Sequence, residues 1–145
     1  MAVQTQAQKI KAILVSRHEL LEAQKLALSK INIEIIEQIA QIPNEPQELQ
    51  KWASEKKAQG ITAIVTVALP PHLLVQLQRF FNIFIFKMKQ IALVQNEEEA
   101  KKLVAEKPSH RTFLLGRQGE PIRVIEFEAL VKTQIEIKEE VVATA

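Results

Sequence analysis

With 145 residues, 47% of them apolar and 25% charged, the chain suits one domain that buries about two thirds of its unfolded surface. No run of about 18 apolar residues could span a bilayer, and a net charge of +2 is too small to drive duplex-DNA binding by counterion release. Cysteine is absent and all 17 acids are glutamate, which excludes disulfides and thiolate metal sites and disfavours a two-metal nuclease, since hard-metal phosphate sites lean on aspartate.

Along the chain, the start MAVQTQAQKIK has no apolar core of signal-peptide type, so a cytoplasmic protein is expected. Residues 11–15, KAILV, read as a short strand buried on both faces. A helix is predicted over 19–31, with Leu20, Leu21, Ala27, Leu28 and Ile31 at helical spacing. INIEIIEQI alternates isoleucine with polar residues, as a strand near a sheet edge does. After the loop PNEP, a helix from Pro46 to Lys57 sets Leu49, Trp52 and Ala53 on one stripe, and Gly60 ends it. Trp52 reads most simply as core.

ITAIVTVAL, nine residues and nearly uncharged, is the predicted central strand. PPHLLVQLQRFF follows as a helix with Leu73, Leu74, Leu77, Phe80 and Phe81 on one face. NIFIFKMK is a fourth strand. NEEEAKKLVAEKP is a helix with an Asn96–Glu99 capping box and Pro108 as its stop. TFLLGRQGEPIRVIEF reads as a hairpin turning near Gly116–Gly119, and TQIEIK as a last strand or tail.

Strand and helix alternate three times over, which implies a parallel sheet with right-handed crossovers and helices on both faces. The expected architecture is a single Rossmann-like α/β domain over 1–145, with residues 1–9 and 139–145 as flexible tails and the C-terminal strands as an antiparallel extension or dimer-forming edge. In such sheets ligands bind beyond the carboxyl ends of the strands. With order 2-1-3-4, Ser16, Arg17 and His18 after the first strand would meet His72 after the third, on a rim suited to a phosphate-bearing ligand.

Each of these residues has a plainer alternative. Ser16 is either a ligand contact or the N-cap of the first helix, with Glu19 as capping-box partner. His18 is a ligand contact or a solvated turn residue, and His72 a contact or a helix-start residue. His110 and Arg111, just past Pro108, sit at a loop surface or contact the ligand. Lys87 and Lys89 would end the fourth strand on the same rim, pointing to one side, or simply be solvated. Three histidines far apart make no zinc motif, and three glycines can write neither GxGxxG nor a Walker loop. No cofactor is therefore expected.

LVSRHELLEAQ looks like a Ser-His-x-Leu-Thr-x-x-Gln opening, and IPNEPQELQKW like a Leu-Pro-x-x-Leu-Gln-x-x-Trp segment; IFIFKMK matches in its basic strand end and IRVIEFEAL in its placement as a terminal strand. Over roughly residues 10–132 the chain thus resembles the small Rossmann-like proteins of type III CRISPR systems, the CARF family and its stand-alone ring nucleases. Ser16 and His18 match the opening motif; Lys87 and Lys89 match by position. The chain departs from the family at Leu21, where a threonine is usual, and at ALPPHL, where a Gly- and Asp-bearing loop is usual. The resemblance implies binding and metal-independent cleavage of a cyclic oligoadenylate, the cyclic tetra-adenylate above all. His18 or His72 would act as general acid or base, and Ser16, Arg17, Lys87, Lys89 and Arg111 would hold the ligand. A ring with rotational symmetry further implies a homodimer. The alternative is a non-catalytic sensor, sponge or assembly subunit on the same rim.

Overall fold

The computed structural model describes residues 8–145. Strands β1 (Ile10–Val15), β2 (Ile33–Ile39), β3 (Ala63–Thr66), β4 (Asn82–Val94), β5 (Arg111–Leu114) and β6 (Ile122–Thr133) form one sheet in the order β2-β1-β3-β4-β6-β5. Helices α1 (Glu22–Lys30), α2 (Pro46–Ala58), α3 (Pro71–Leu77) and α4 (Glu97–Glu106) make the fold mixed α/β. The sheet is mostly parallel: β2, β1, β3 and β4 run together, and the β6 and β5 pairings are antiparallel. Among the described residues no helix is long and apolar enough to cross a membrane.

Burial follows strand position. All four side chains of β3, the strand between β1 and β4, are buried, whereas β2 at the edge alternates. Ile13, Ile64, Ile83 and Ile85 pack with Leu49 and Ala53 of α2 and Leu74 and Leu77 of α3. Ala12, Leu14, Val65, Phe84 and Phe86 pack instead with Leu28 of α1. A third cluster joins Ala100 of α4 to Val94, Ile122 and Val124. Trp52 is packed against the first cluster, its ring 6.1 Å from that of Phe81, as a core residue should be.

Local signals set several boundaries. Gly60 has φ +88° just past α2, the left-handed turn that a helix end favours and that glycine adopts without a Cβ penalty. Asn96 Oδ1 accepts the Glu99 N–H at 2.9 Å and caps α4. The predicted hairpin forms, with β5 and β6 antiparallel around Gly116 and Gly119.

Several boundaries differ from expectation. α3 stops at Leu77, so Phe80 and Phe81 follow the helix rather than lie on it, and β6 runs past IRVIEF to Thr133. α1 starts at Glu22 rather than residue 19. β3 stops at Thr66, because the matching stretch of β1 also stops, at Val15, and Thr66 Oγ1 turns to donate to the Val15 oxygen at 3.0 Å. β4 runs well past NIFIFKMK to Val94 because β6 partners it from Ile83 to Val94, so Lys87 and Lys89 lie within the strand and not at its end. TQIEIK adds no strand beyond Thr133; instead the Gln78 side chain donates to the Ile135 oxygen and accepts its N–H, both at 2.9 Å. Of the expected tails, residues 1–7 lie outside the described residues, Lys9 pairs with Glu34 at 3.6 Å, and 139–145 have no regular structure.

Candidate functional site

The six residues between β1 and α1 form a pinned loop. The Ser16 N–H donates to the Ile39 oxygen at 2.9 Å, tying the loop's start to the end of β2. Ser16 Oγ accepts the His18 N–H at 3.0 Å and lies 3.2 Å from the His18 oxygen, closing a serine turn. Gln38 Nε2 then donates to the Ser16 oxygen at 3.0 Å and the His18 oxygen at 3.1 Å. Ser16 is therefore not the N-cap of α1, and Glu19 is not a capping partner. The cap position is Leu21, whose N–H is accepted at 2.8 Å by Gln24 Oε1 from within the helix. The serine hydroxyl is used up two residues on, too early in the chain to reach the first helical turn.

This loop overhangs a cleft of about 640 Å³ beyond the carboxyl ends of β1 and β3. Ser16, Arg17, His18 and Glu19 stand on its rim; Leu14 and Thr66 come from the strand ends, and Met88, Thr112, Phe113 and Ile125 from the antiparallel part of the sheet. Arg17 and His18 are exposed, and among the described residues neither side chain has a hydrogen-bond or ion-pair partner. A guanidinium and an imidazole thus face a largely apolar hollow of the size that small ligands occupy.

The other predicted residues lie elsewhere. His72 lines a separate hollow of about 380 Å³ with Asn44, Leu69 and Pro70; Val15 and Ala40 border both hollows, so the expected single rim is divided at the end of β1. Val67 and Ala68 border the cleft and Leu69 and Pro70 the second hollow, so the segment after β3 passes from one to the other before α3 begins. Lys87 is exposed mid-strand opposite Ala129. Lys89 Nζ is 3.4 Å from Glu126 Oε2.

Arg111 is engaged on three sides: Nε donates to Glu126 Oε1 at 2.8 Å, and Nη1 to Glu106 Oε2 at 2.9 Å and to the Leu103 oxygen at 2.8 Å. Lys89, Glu126 and Arg111 are register partners across β4, β6 and β5, so the cluster fastens the end of α4 to the sheet. The Arg111 hydrogen bond holds the Glu126 carboxyl below the usual carboxylate range against the opposing effect of burial, with Lys107 and Lys89 adding to it. Glu126 and Glu106 in turn raise Arg111. His110 is also outside the cleft, with Nδ1 2.7 Å from Ser109 Oγ.

The structure therefore brings Ser16, Arg17 and His18 together and leaves His72, Lys87, Lys89 and Arg111 outside. Sequence reasoning missed Met88, Thr112, Ile125 and Gln24. Met88 was within reach: two lysines on one side of a strand put the residue between them on the other. Gln24 was too, sitting four residues before Leu28 on the buried face of α1. Among the described residues no three His or Glu side chains are grouped to hold a metal ion. Comparison of the chain with protein-family models, with curated proteins and with solved structures finds no match in any of the three.

Proposed function

We propose that this protein binds a nucleotide phosphodiester at the cleft beyond β1 and β3, and that the ligand is a cyclic oligoadenylate, the class implied by the family resemblance. The observation that carries the reading is the pair Arg17 and His18, both without side-chain partners among the described residues, on a loop fixed by Ser16 Oγ and Gln38. A free guanidinium offers a planar fork to phosphate oxygens. The apolar wall of Met88 and Ile125 offers a surface for a base. Because the loop is already ordered, little conformational freedom is lost on binding.

The fold supports the reading as a Rossmann-like arrangement. Alternate residues of β1 and β3 join the α2–α3 cluster and the α1 cluster, which is what helices on opposite faces require. The cleft then falls at the crevice where ligands of such sheets bind. A homodimer would present two such clefts to one ring.

Cleavage is the second reading, favoured by His18 standing free beside Arg17. The ribose 2′-oxygen would bond to phosphorus as the bond to the 5′-oxygen breaks. The 2′-hydroxyl proton passes to a base and a proton is delivered to the leaving 5′-oxygen, giving a 2′,3′-cyclic phosphate and a 5′-hydroxyl. One well-placed acid or base contributes ~10²–10⁴-fold. His18 alone lines the cleft, and His72 serves only if the ring also enters the neighbouring hollow across Val15 and Ala40. For this reason binding is the primary claim. Incubating the protein with labelled cyclic tetra-adenylate in EDTA separates the readings: a linear product ending in a 2′,3′-cyclic phosphate establishes the enzyme, and an intact ring retained by the protein establishes the sensor or sponge.

A further inference from the structure

Gln24 is only 5% exposed, yet it lines the cleft. Its Oε1 is committed to the Leu21 N–H at 2.8 Å, which decides which way round the amide lies. The NH₂ group is left to meet Met88 Sδ at 3.6 Å, its one acceptor among the described residues. A thioether is a weak acceptor, and the amide nitrogen has two hydrogens to place. A buried N–H without a good acceptor is costly to leave so. The cleft therefore presents a donor, held in one orientation, beside an apolar wall. Thr112, half-buried on β5, adds a hydroxyl with no protein partner among the described residues; it can donate or accept and so discriminates less.

We infer that Gln24 is the specificity-determining donor of the cleft, selecting a ligand whose planar body enters with a hydrogen-bond acceptor on its leading edge. For a nucleotide that acceptor is a ring nitrogen or carbonyl oxygen of the base. This rests on the nucleotide reading above, with the phosphate at Arg17 and His18 and the base against Met88 and Ile125. Specificity of this kind is strong because a ligand without the acceptor leaves the buried N–H unpaired.

Gln24→Glu tests it, because the carboxylate keeps an oxygen for the Leu21 N–H and turns the donor into an acceptor. The isotope-labelled full chain is titrated by NMR with adenosine monophosphate and with ribose 5-phosphate, which carries the phosphate and sugar without a base. Wild type should bind the nucleotide about tenfold tighter than the sugar phosphate, the worth of a hydrogen bond plus base contact. Gln24→Glu should weaken both through its added charge and should also remove most of that tenfold preference. An equal loss for both probes, or no preference in wild type, overturns the role of Gln24 and leaves phosphate binding standing. Failure of wild type to bind either probe overturns both readings. Should Gln24→Glu fail to fold, wild type decides with deaza analogues in which each ring nitrogen in turn is replaced by C–H. At least one must lose several-fold in affinity, toward that of the sugar phosphate, and a full set that binds like the parent overturns the inference.

Discussion

Arg111 Nε donates to Glu126 Oε1 at 2.8 Å across the β5–β6 pair, and both side chains are almost covered. The same guanidinium reaches Glu106 and the Leu103 oxygen at the end of α4, so one arginine holds a helix to an edge strand. A residue that looks from the sequence like a free cation in a loop is thereby a structural clasp.

The clasp should show in acid. Glu126 titrates below its unfolded value, so its contribution to stability is present above about pH 4.3, the ordinary glutamate range, and is lost as pH falls through the lower folded value. The wild-type melting temperature should drop on going from pH 6 toward pH 3, and Glu126→Gln should flatten that slope while starting from a lower melting temperature. Calorimetry across the range checks it; parallel slopes for the two proteins would contradict the clasp.

Removing the cation should be worse at Arg111 than at Lys89. Arg111→Met leaves the Glu126 carboxylate nearly buried beside two half-exposed lysines and frees the last turn of α4. Lys89→Met removes a pair that water already screens. Thermal melts should place Arg111→Met several degrees below Lys89→Met.

Much of the sheet was legible because its signals are local. KAILV ends where the apolar run ends, Gly60 marks the end of α2, and strand–helix alternation favours parallel strands, whose order 2-1-3-4, taken as the common one, is the order found. What stayed hidden depends on distant pairing. The extension of β4 to 13 residues needs β6, which arrives only after α4 and β5, and the partner of Arg111 lies on that same strand. The division of His18 from His72 was hidden for another reason: adjacent strand ends do not say to which side each chain leaves. Ser16 looked like a cap because Glu19 stands three residues on, but Gln38 and the His18 amide compete for the same turn and win.

Ser16→Ala should loosen that turn and leave α1 intact. The loss of the hydroxyl bond to the His18 amide is worth about 1 kcal/mol at this exposed site. Hydrogen exchange should speed up at His18 and stay unchanged through Glu22–Lys30. Fraying of the helix start instead would restore Ser16 as its cap.

Gln78→Ala should release the C-terminal segment, since one side-chain amide satisfies both backbone groups of Ile135. Two hydrogen bonds at about 1 kcal/mol each make a modest loss of global stability. Limited proteolysis should cut after Thr133 well before wild type is cut there.

The central claim is that Arg17 on its pinned loop holds a ligand phosphate, and calorimetric titration of cyclic tetra-adenylate into wild type, Arg17→Ala and His72→Ala tests it most directly. A charged hydrogen bond is worth about 1.5–3 kcal/mol, or roughly ten- to a hundredfold in affinity. The account predicts that wild type binds, that Arg17→Ala loses at least tenfold, and that His72→Ala, in the separate hollow, stays within about twofold. No binding by wild type, or Arg17→Ala binding as tightly as wild type, would contradict it.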